Sequence, residues 1–150
     1  MDNVIVARSK DLLKLTDSLH WLAPLLMRLF FGYFWLETGW AKLHNLDGFT
    51  SRFVEWGIPF PAFSATLSAG TEFVGGLLIM LGLFTRLTCI PMIINMVVAL
   101  AVVVLPQLKG FDEFFELDEN LYVLIFFWLM MAGPGRVSLD HLLFGRLFQR

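Results

Sequence analysis

The chain has 150 residues, of which 57% are hydrophobic and 16% charged, with a net charge of −2 and a mean hydropathy of +0.71. Soluble domains average about 45–50% apolar and about 25% charged residues, and this length holds one domain, so a water-soluble globular core is excluded. With no dense Lys/Arg stripe, nothing favours a nucleic-acid partner; the apolar residues gather in long runs with the charges between them, and the implied partner is a lipid bilayer.

Ahead of the first run, Leu12, Leu15, Leu19 and Leu22 recur at three- and four-residue spacings among Lys10, Asp11, Lys14 and Asp17. That pattern suits a short helix lying in the membrane interface. The first span covers about 21–41 and contains Arg28 and Glu37. It is too long and too charged for a cleavable signal peptide. The first outward loop holds a short helix in which Asp47 is the expected cap, Phe49, Phe53 and Trp56 share a face, and Gly57 is the stop before Ile58-Pro59. It reads as a lid or as an interfacial anchor for aromatic rings.

The second span, about 62–84, contains one carboxylate, Glu72. The third, about 87–105, has no charged residue, and the fourth, about 121–132, reaches 118–134 when its ends are included. Pro24 and Pro91 fall in opening turns and Pro106 and Pro134 just past span ends, where helices tolerate proline. The acidic third loop, with Asp112, Glu113, Glu116, Asp118 and Glu119, lacks the spacing of a cation site and reads as a solvated turn. Beyond the fourth span Ser138 can cap a last interfacial helix bearing Leu139, Leu142, Leu143 and Leu147. The expected fold is an all-α, four-transmembrane-helix bundle with short interfacial helices at both termini and in the first outward loop.

Orientation follows from the flanking cations. Arg8, Lys10, Lys14, Arg86, Arg136, Arg146 and Arg150 lie on one side and Lys42, Arg52 and Lys109 on the other, which puts both termini in the cytoplasm.

Chemistry is sought among ionisable groups inside the spans, because a charge there costs at least about 2.5–3.5 kcal/mol and needs a partner. In the first span Arg28, Gly32, Trp35 and Gly39 fall at i, i+4, i+7 and i+11; in the second Ser68, Glu72, Gly75 and Gly76 share a face. These small-residue seams should meet, with Gly32, Gly39, Gly75 and Gly76 packing backbone on backbone and Ile79 facing lipid. Counting from the inner ends, Arg28 lies about 10 Å deep and Glu72 about 18 Å deep, so an Arg28–Glu72 ion pair is expected, against the alternative that Arg28 snorkels to the headgroups. Glu37 is half a turn out of phase with Arg28 and near Lys42 and His44; a metal set of Glu37, Lys42, His44 and Asp47 has no recognisable spacing, and no metal is expected.

Other redox chemistries meet obstacles. Cys89 is the single cysteine, so an intrachain disulfide relay is impossible. His20, His44 and His141 lie at different depths, so no bis-His haem is expected. No phosphate loop or nucleophile triad is present, and Cys89 reads as a small core residue.

The stretch Thr38-Gly39-Trp40-Ala41-Lys42-Leu43, then Gly57-Ile58-Pro59-Phe60-Pro61, then Glu72 with Gly75-Gly76, then Leu81-Gly82-Leu83-Phe84-Thr85-Arg86, resembles the DoxX family of small bacterial membrane proteins over about 25–134. The resemblance implies a four-helix bundle in the bacterial inner membrane. Through the related DoxD-type subunit of thiosulfate:quinone oxidoreductase it also implies redox or sulfur-linked work. The family's recurring positions fall here on Gly39, Lys42, Gly57, Pro59, Glu72, Gly76 and Arg86, while Glu37-Thr38 is more acidic than in many relatives. Two functions follow as expectations. One is a redox-associated membrane subunit binding a quinone between the first two spans near Arg28 and Glu72, with Trp35 flat on the ring. The other is a non-catalytic anchor or assembly partner for other membrane or redox subunits. Either is compatible with a homo-oligomer.

Overall fold

The computed structural model describes residues 13–145, so Arg8, Lys10, Asp11, Leu12, Arg146, Leu147 and Arg150 lie outside the described residues. The described chain is helical and has no strand. A short helix α1 (Leu13–Leu19) meets α2 (Leu22–His44) at a 47° bend. There follow α3 (Leu46–Glu55), α4 (Pro61–Leu81), α5 (Thr85–Ala99), α6 (Phe111–Phe115), α7 (Asp118–Ala132) and α8 (Leu139–Phe144). Beyond Ala99, α5 continues as a π turn over Leu100–Val104 and a 3₁₀ turn over Leu105–Gln107.

Two stretches are long and apolar enough to cross a membrane, Pro61–Leu81 and Thr85–Gln107, and α1 with α2 makes a third if the bent pair is one span. Helix α7 has 15 residues, about 22 Å at ~1.5 Å per residue, shorter than a typical crossing.

Glycine sets the exits from α3 and α4. Gly57 and Gly82 adopt left-handed φ of 68° and 67°, and each sits in a paired-bond helix stop. Gly57 N–H donates to Val54 (3.0 Å) and Ile58 N–H to Phe53 (3.0 Å); Gly82 N–H donates to Ile79 (3.0 Å) and Leu83 N–H to Leu78 (2.9 Å). The stop at Gly57 is where the sequence places it, but α3 begins at Leu46, one residue before Asp47. Asp47 therefore belongs to the first turn, where its charge suits the helix dipole, and is not the cap. Pro91 also differs from expectation, because α5 starts at Thr85 and the proline lies inside it. Ser138 does cap α8, its Oγ accepting from His141 N–H at 3.1 Å.

The α2–α4 interface is backbone on backbone. A Cβ added at Gly32 would sit 2.7 Å from Met80 N, and one at Gly76 would sit 2.7 Å from Gly32 O and meet Leu36 N; one at Gly39 would run into Phe73. These three glycines form the expected seam. Gly75 does not belong to it: an added Cβ there would meet the Met92 sulfur of α5 at 2.6 Å. The reason is the ~100° rotation between consecutive helical residues, which turns Gly75 to the neighbouring helix. Ile79 is completely buried rather than lipid-facing.

Phe31 and Trp35 of α2, Ile79 of α4, Cys89, Met92 and Met96 of α5, and Phe126 and Leu129 of α7 form the main core. Its rings interlock across helices, with Phe31–Phe126 centroids 4.8 Å apart and Trp35–Tyr122 5.3 Å apart, nearly perpendicular. A second cluster seats Phe49 and Phe53 of α3 on Ala65 and Ala69 of α4, with Trp56 and Ile58 packed against it. The small alanines let the aromatic helix lie close.

Candidate functional site

The register of the glycine seam decides which charges meet. Gly39 lies against Glu72 and Phe73, Gly76 against Trp35 and Leu36, Gly32 against Met80, and Gly82 against Arg28. Arg28 is thus level with the end of α4, ten residues and about 15 Å along the axis from Glu72. The expected Arg28–Glu72 pair is replaced by two separate sites.

At the first, Lys42 Nζ lies 2.6 Å from each oxygen of Glu72. Glu72 is 1% exposed and Lys42 28% exposed. Asn95 Nδ2 of α5 donates to Glu72 Oε1 at 3.1 Å, and the ammonium stands 5.0 Å from the centre of the Phe49 ring. Lys42 is three residues beyond Gly39, on the stripe that begins at Arg28, so its long side chain reaches back one turn to the carboxylate. A buried carboxylate held by an ammonium and an amide is well compensated in apolar surroundings.

A cavity of about 560 Å³ opens on this cluster. Trp35, Thr38 and Lys42 form one wall and Ser68, Thr71 and Glu72 a second; α5 contributes Pro91, Asn95 and Ala99, and α7 contributes Glu119 and Tyr122. Phe49, Phe53, Trp56 and Ile58, from α3 and the turn after it, line its rim, which makes α3 part of the wall. Trp35 is 3% exposed and its Nε1 is buried without a hydrogen-bond partner. An unmet buried donor costs about 1–3 kcal/mol, on a residue that lines the cavity. Trp35 packs against Tyr122, nearly perpendicular to it with centroids 5.3 Å apart, and against Phe126 at 5.5 Å.

Glu37 is exposed and outside this cavity. His44 is exposed too, its Nδ1 3.0 Å from the Trp40 carbonyl, so Glu37, Lys42, His44 and Asp47 do not converge. Asn95 was missed by sequence reasoning: one neutral amide in an apolar run gives no periodic signal, and only the packing of α5 on α4 gives it a partner.

At the second site Arg28, 1% exposed, donates through Nη2 to the Val137 carbonyl. It neither pairs with Glu72 nor snorkels. The segment after α7 folds over it. Asp140 accepts from Phe84 N–H at 2.7 Å and Thr85 N–H at 3.1 Å, and its own N–H donates to Gly82 O at 2.9 Å. A carboxylate from a distant part of the chain therefore caps α5, with Phe84 held at a left-handed φ of 49°. Gly82 fits because any Cβ would collide with the Arg28 guanidinium and lie 2.7 Å from Ser138 Cβ. Arg86 is exposed and packs on Gly133, its Nε 3.1 Å from where a Cβ would stand.

Apolar helices of spanning length, joined through a glycine seam around a compensated buried charge, define a helical membrane protein. The DoxX family model matches residues 23–105, and the chain belongs to the DoxX family. It is 34% identical over 125 residues to the uncharacterized membrane protein Rv3486 of Mycobacterium tuberculosis (strain ATCC 25618 / H37Rv), an alignment covering 76% of this chain and 77% of that one. No solved structure matches it.

Proposed function

We propose that the chain crosses the bacterial inner membrane four times as a helical bundle, with α7 as the fourth span and both termini cytoplasmic, and binds a quinone in the Lys42–Glu72–Asn95 cavity as a redox-associated subunit. The observation that carries this reading is the cavity itself. It joins a donor that suits a quinone carbonyl, the Lys42 ammonium, to aromatic walls that suit its ring. The carboxylate of Glu72, held between Lys42 and Asn95, adds a proton-accepting group beside the same space. In this reading the quinone sits at Lys42 and Glu72, and Arg28 is outside the site. Packing of α7 through Phe126 and Tyr122 onto Phe31 and Trp35 of α2 supports counting it as the fourth helix of the bundle.

Protein purified in mild detergent should release a quinone on solvent extraction, read by ultraviolet absorbance, and Glu72→Gln combined with Lys42→Met should lower the yield. Protein that carries none and takes up none when supplied overturns the reading. For the topology, a reporter fused after Arg150 should report from the cytoplasm, and a cysteine placed at Asp112 should react from outside while the buried Cys89 stays silent. A periplasmic C-terminus would overturn the orientation, and together with an external Asp112 it would exclude α7 as a span.

The second reading, a non-catalytic anchor or assembly partner, draws on α8, where Leu142 and Leu143 are 79% and 59% exposed. A stoichiometric partner lost on Leu142→Ser, with no quinone bound, would favour it.

A further inference from the structure

A second space lies beside the cavity. Along one face of α4, Phe63, Leu67, Val74 and Leu78 line a groove of about 510 Å³ whose other wall is Thr88 and Pro91 of α5. Leu67, Thr71 and Pro91 line both this groove and the Lys42–Glu72 cavity, so only these three side chains lie between neighbouring spaces. The helices touch at Gly75, where an added Cβ would meet Met92, but at Gly70 an added Cβ would meet nothing within 4 Å. Gly70 lies about 140° round α4 from Gly75, so the groove is bounded by α5 on the Gly75 side and is open on the Gly70 side. No charged side chain lines the groove, and its threonine hydroxyls at 66 and 88 are already bonded to the carbonyls of Ala62 and Phe84. Phe63, Leu67 and Val74 are 69%, 58% and 51% exposed, on a helix long and apolar enough to lie in lipid.

From this adjacency we infer that the ligand is an amphiphile that enters sideways from the bilayer, parting Leu67 and Thr71, with its polar ring at Lys42–Glu72–Asn95 and its hydrocarbon tail lying in the groove over Gly70. The inference rests on the quinone reading of the cavity and adds a tail site to it. The groove offers a chain only dispersion and desolvation, while the cavity offers hydrogen bonds, which divides head from tail recognition between the two spaces.

The test uses the full chain in detergent, with two probes: dimethoxy-methyl-benzoquinone without a tail, and the same ring carrying a decyl chain. Both should bind, the decyl compound more tightly. Gly70→Phe fills the groove where there is room for a ring, so the protein should fold and keep its affinity for the tailless ring within about twofold, while the decyl compound should weaken about tenfold, as for displacing roughly two methylenes. A photoreactive group at the end of the decyl chain should label the α4 segment containing Phe63, Leu67 and Val74. If both probes bind the native chain but Gly70→Phe weakens them equally or not at all, or if the label falls on α7, the tail site is wrong and the quinone reading stands. If neither probe binds the native chain, the quinone reading fails and the tail site falls with it.

Discussion

At one end of the α2–α4 pair the buried Glu72 faces a side-chain ammonium beside an open cavity; at the other the buried Arg28 faces a backbone carbonyl under a segment that folds over it. Both charges lie on the glycine stripes, yet they are compensated differently. Lys42 and Asn95 are side chains that can exchange partners, and the space next to them is large enough for a ligand. At the Arg28 end the guanidinium bonds to Val137 O, and Asp140 ties the covering segment to α5 through its carboxylate on the Phe84 and Thr85 N–H groups and its own N–H on Gly82 O, beside a cavity of about 750 Å³. An ion pair of two side chains facing a cavity suits binding, whereas a carboxylate bonded to two backbone N–H groups fixes the fold.

The largest expected effect tests whether Glu72 depends on Lys42. Lys42→Met leaves the carboxylate with Asn95 alone and should lower stability by about 3–5 kcal/mol, with Glu72→Gln in the same chain restoring a good part of it. Thermal melts in detergent would show this, and no recovery in the double variant would mean that the pair is not what holds the carboxylate. The separation of the two ends makes a companion expectation: Arg28→Met and Glu72→Gln should add to within about 0.5 kcal/mol, since groups some 15 Å apart do not couple directly.

Next in size is the seam that fixes both ends in register. Gly76→Leu forces side-chain atoms into the α2 backbone and should cost about 1–3 kcal/mol or more, while Val74→Leu, at an exposed position, should change the melting temperature little. Equal tolerance at the two positions would contradict the register that separates Arg28 from Glu72.

At the closed end, Asp140→Asn removes the charge that caps α5 and should cost about 1 kcal/mol. Phe84→Gly should recover part of that loss, because glycine holds a left-handed φ without the cost a phenylalanine bears. Proteolysis of the segment after α7 is a direct readout, since it should be cut faster once Asp140 no longer holds it. The smallest effect is expected outside both ends: Glu37→Gln, at an exposed position, should stay within about 0.5 kcal/mol and leave quinone yield unchanged. A loss of bound quinone there would redraw the site.

The amino-acid sequence by itself determined the helical class, the apolar runs, the stop at Gly57, the cap at Ser138 and the stripes carrying Arg28, Trp35, Gly39 and Glu72, because each is a local property of spacing or of a single residue's backbone preference. It also put Lys42 and Glu72 among the positions of interest. Which charge met which was decided only in three dimensions. Periodicity gives the direction of a side chain around its helix but not its height beside a neighbour, and an axial error of a few residues was enough to exchange Lys42 for Arg28 as the partner of Glu72. The height is fixed where Gly32, Gly39 and Gly76 let two backbones touch, and the long-range ties of Val137 to Arg28 and of Asp140 to Phe84 leave no trace in local spacing. Asn95 became part of the site for the same reason: a lone amide has no pattern of its own, and its role comes from the helix packed against it.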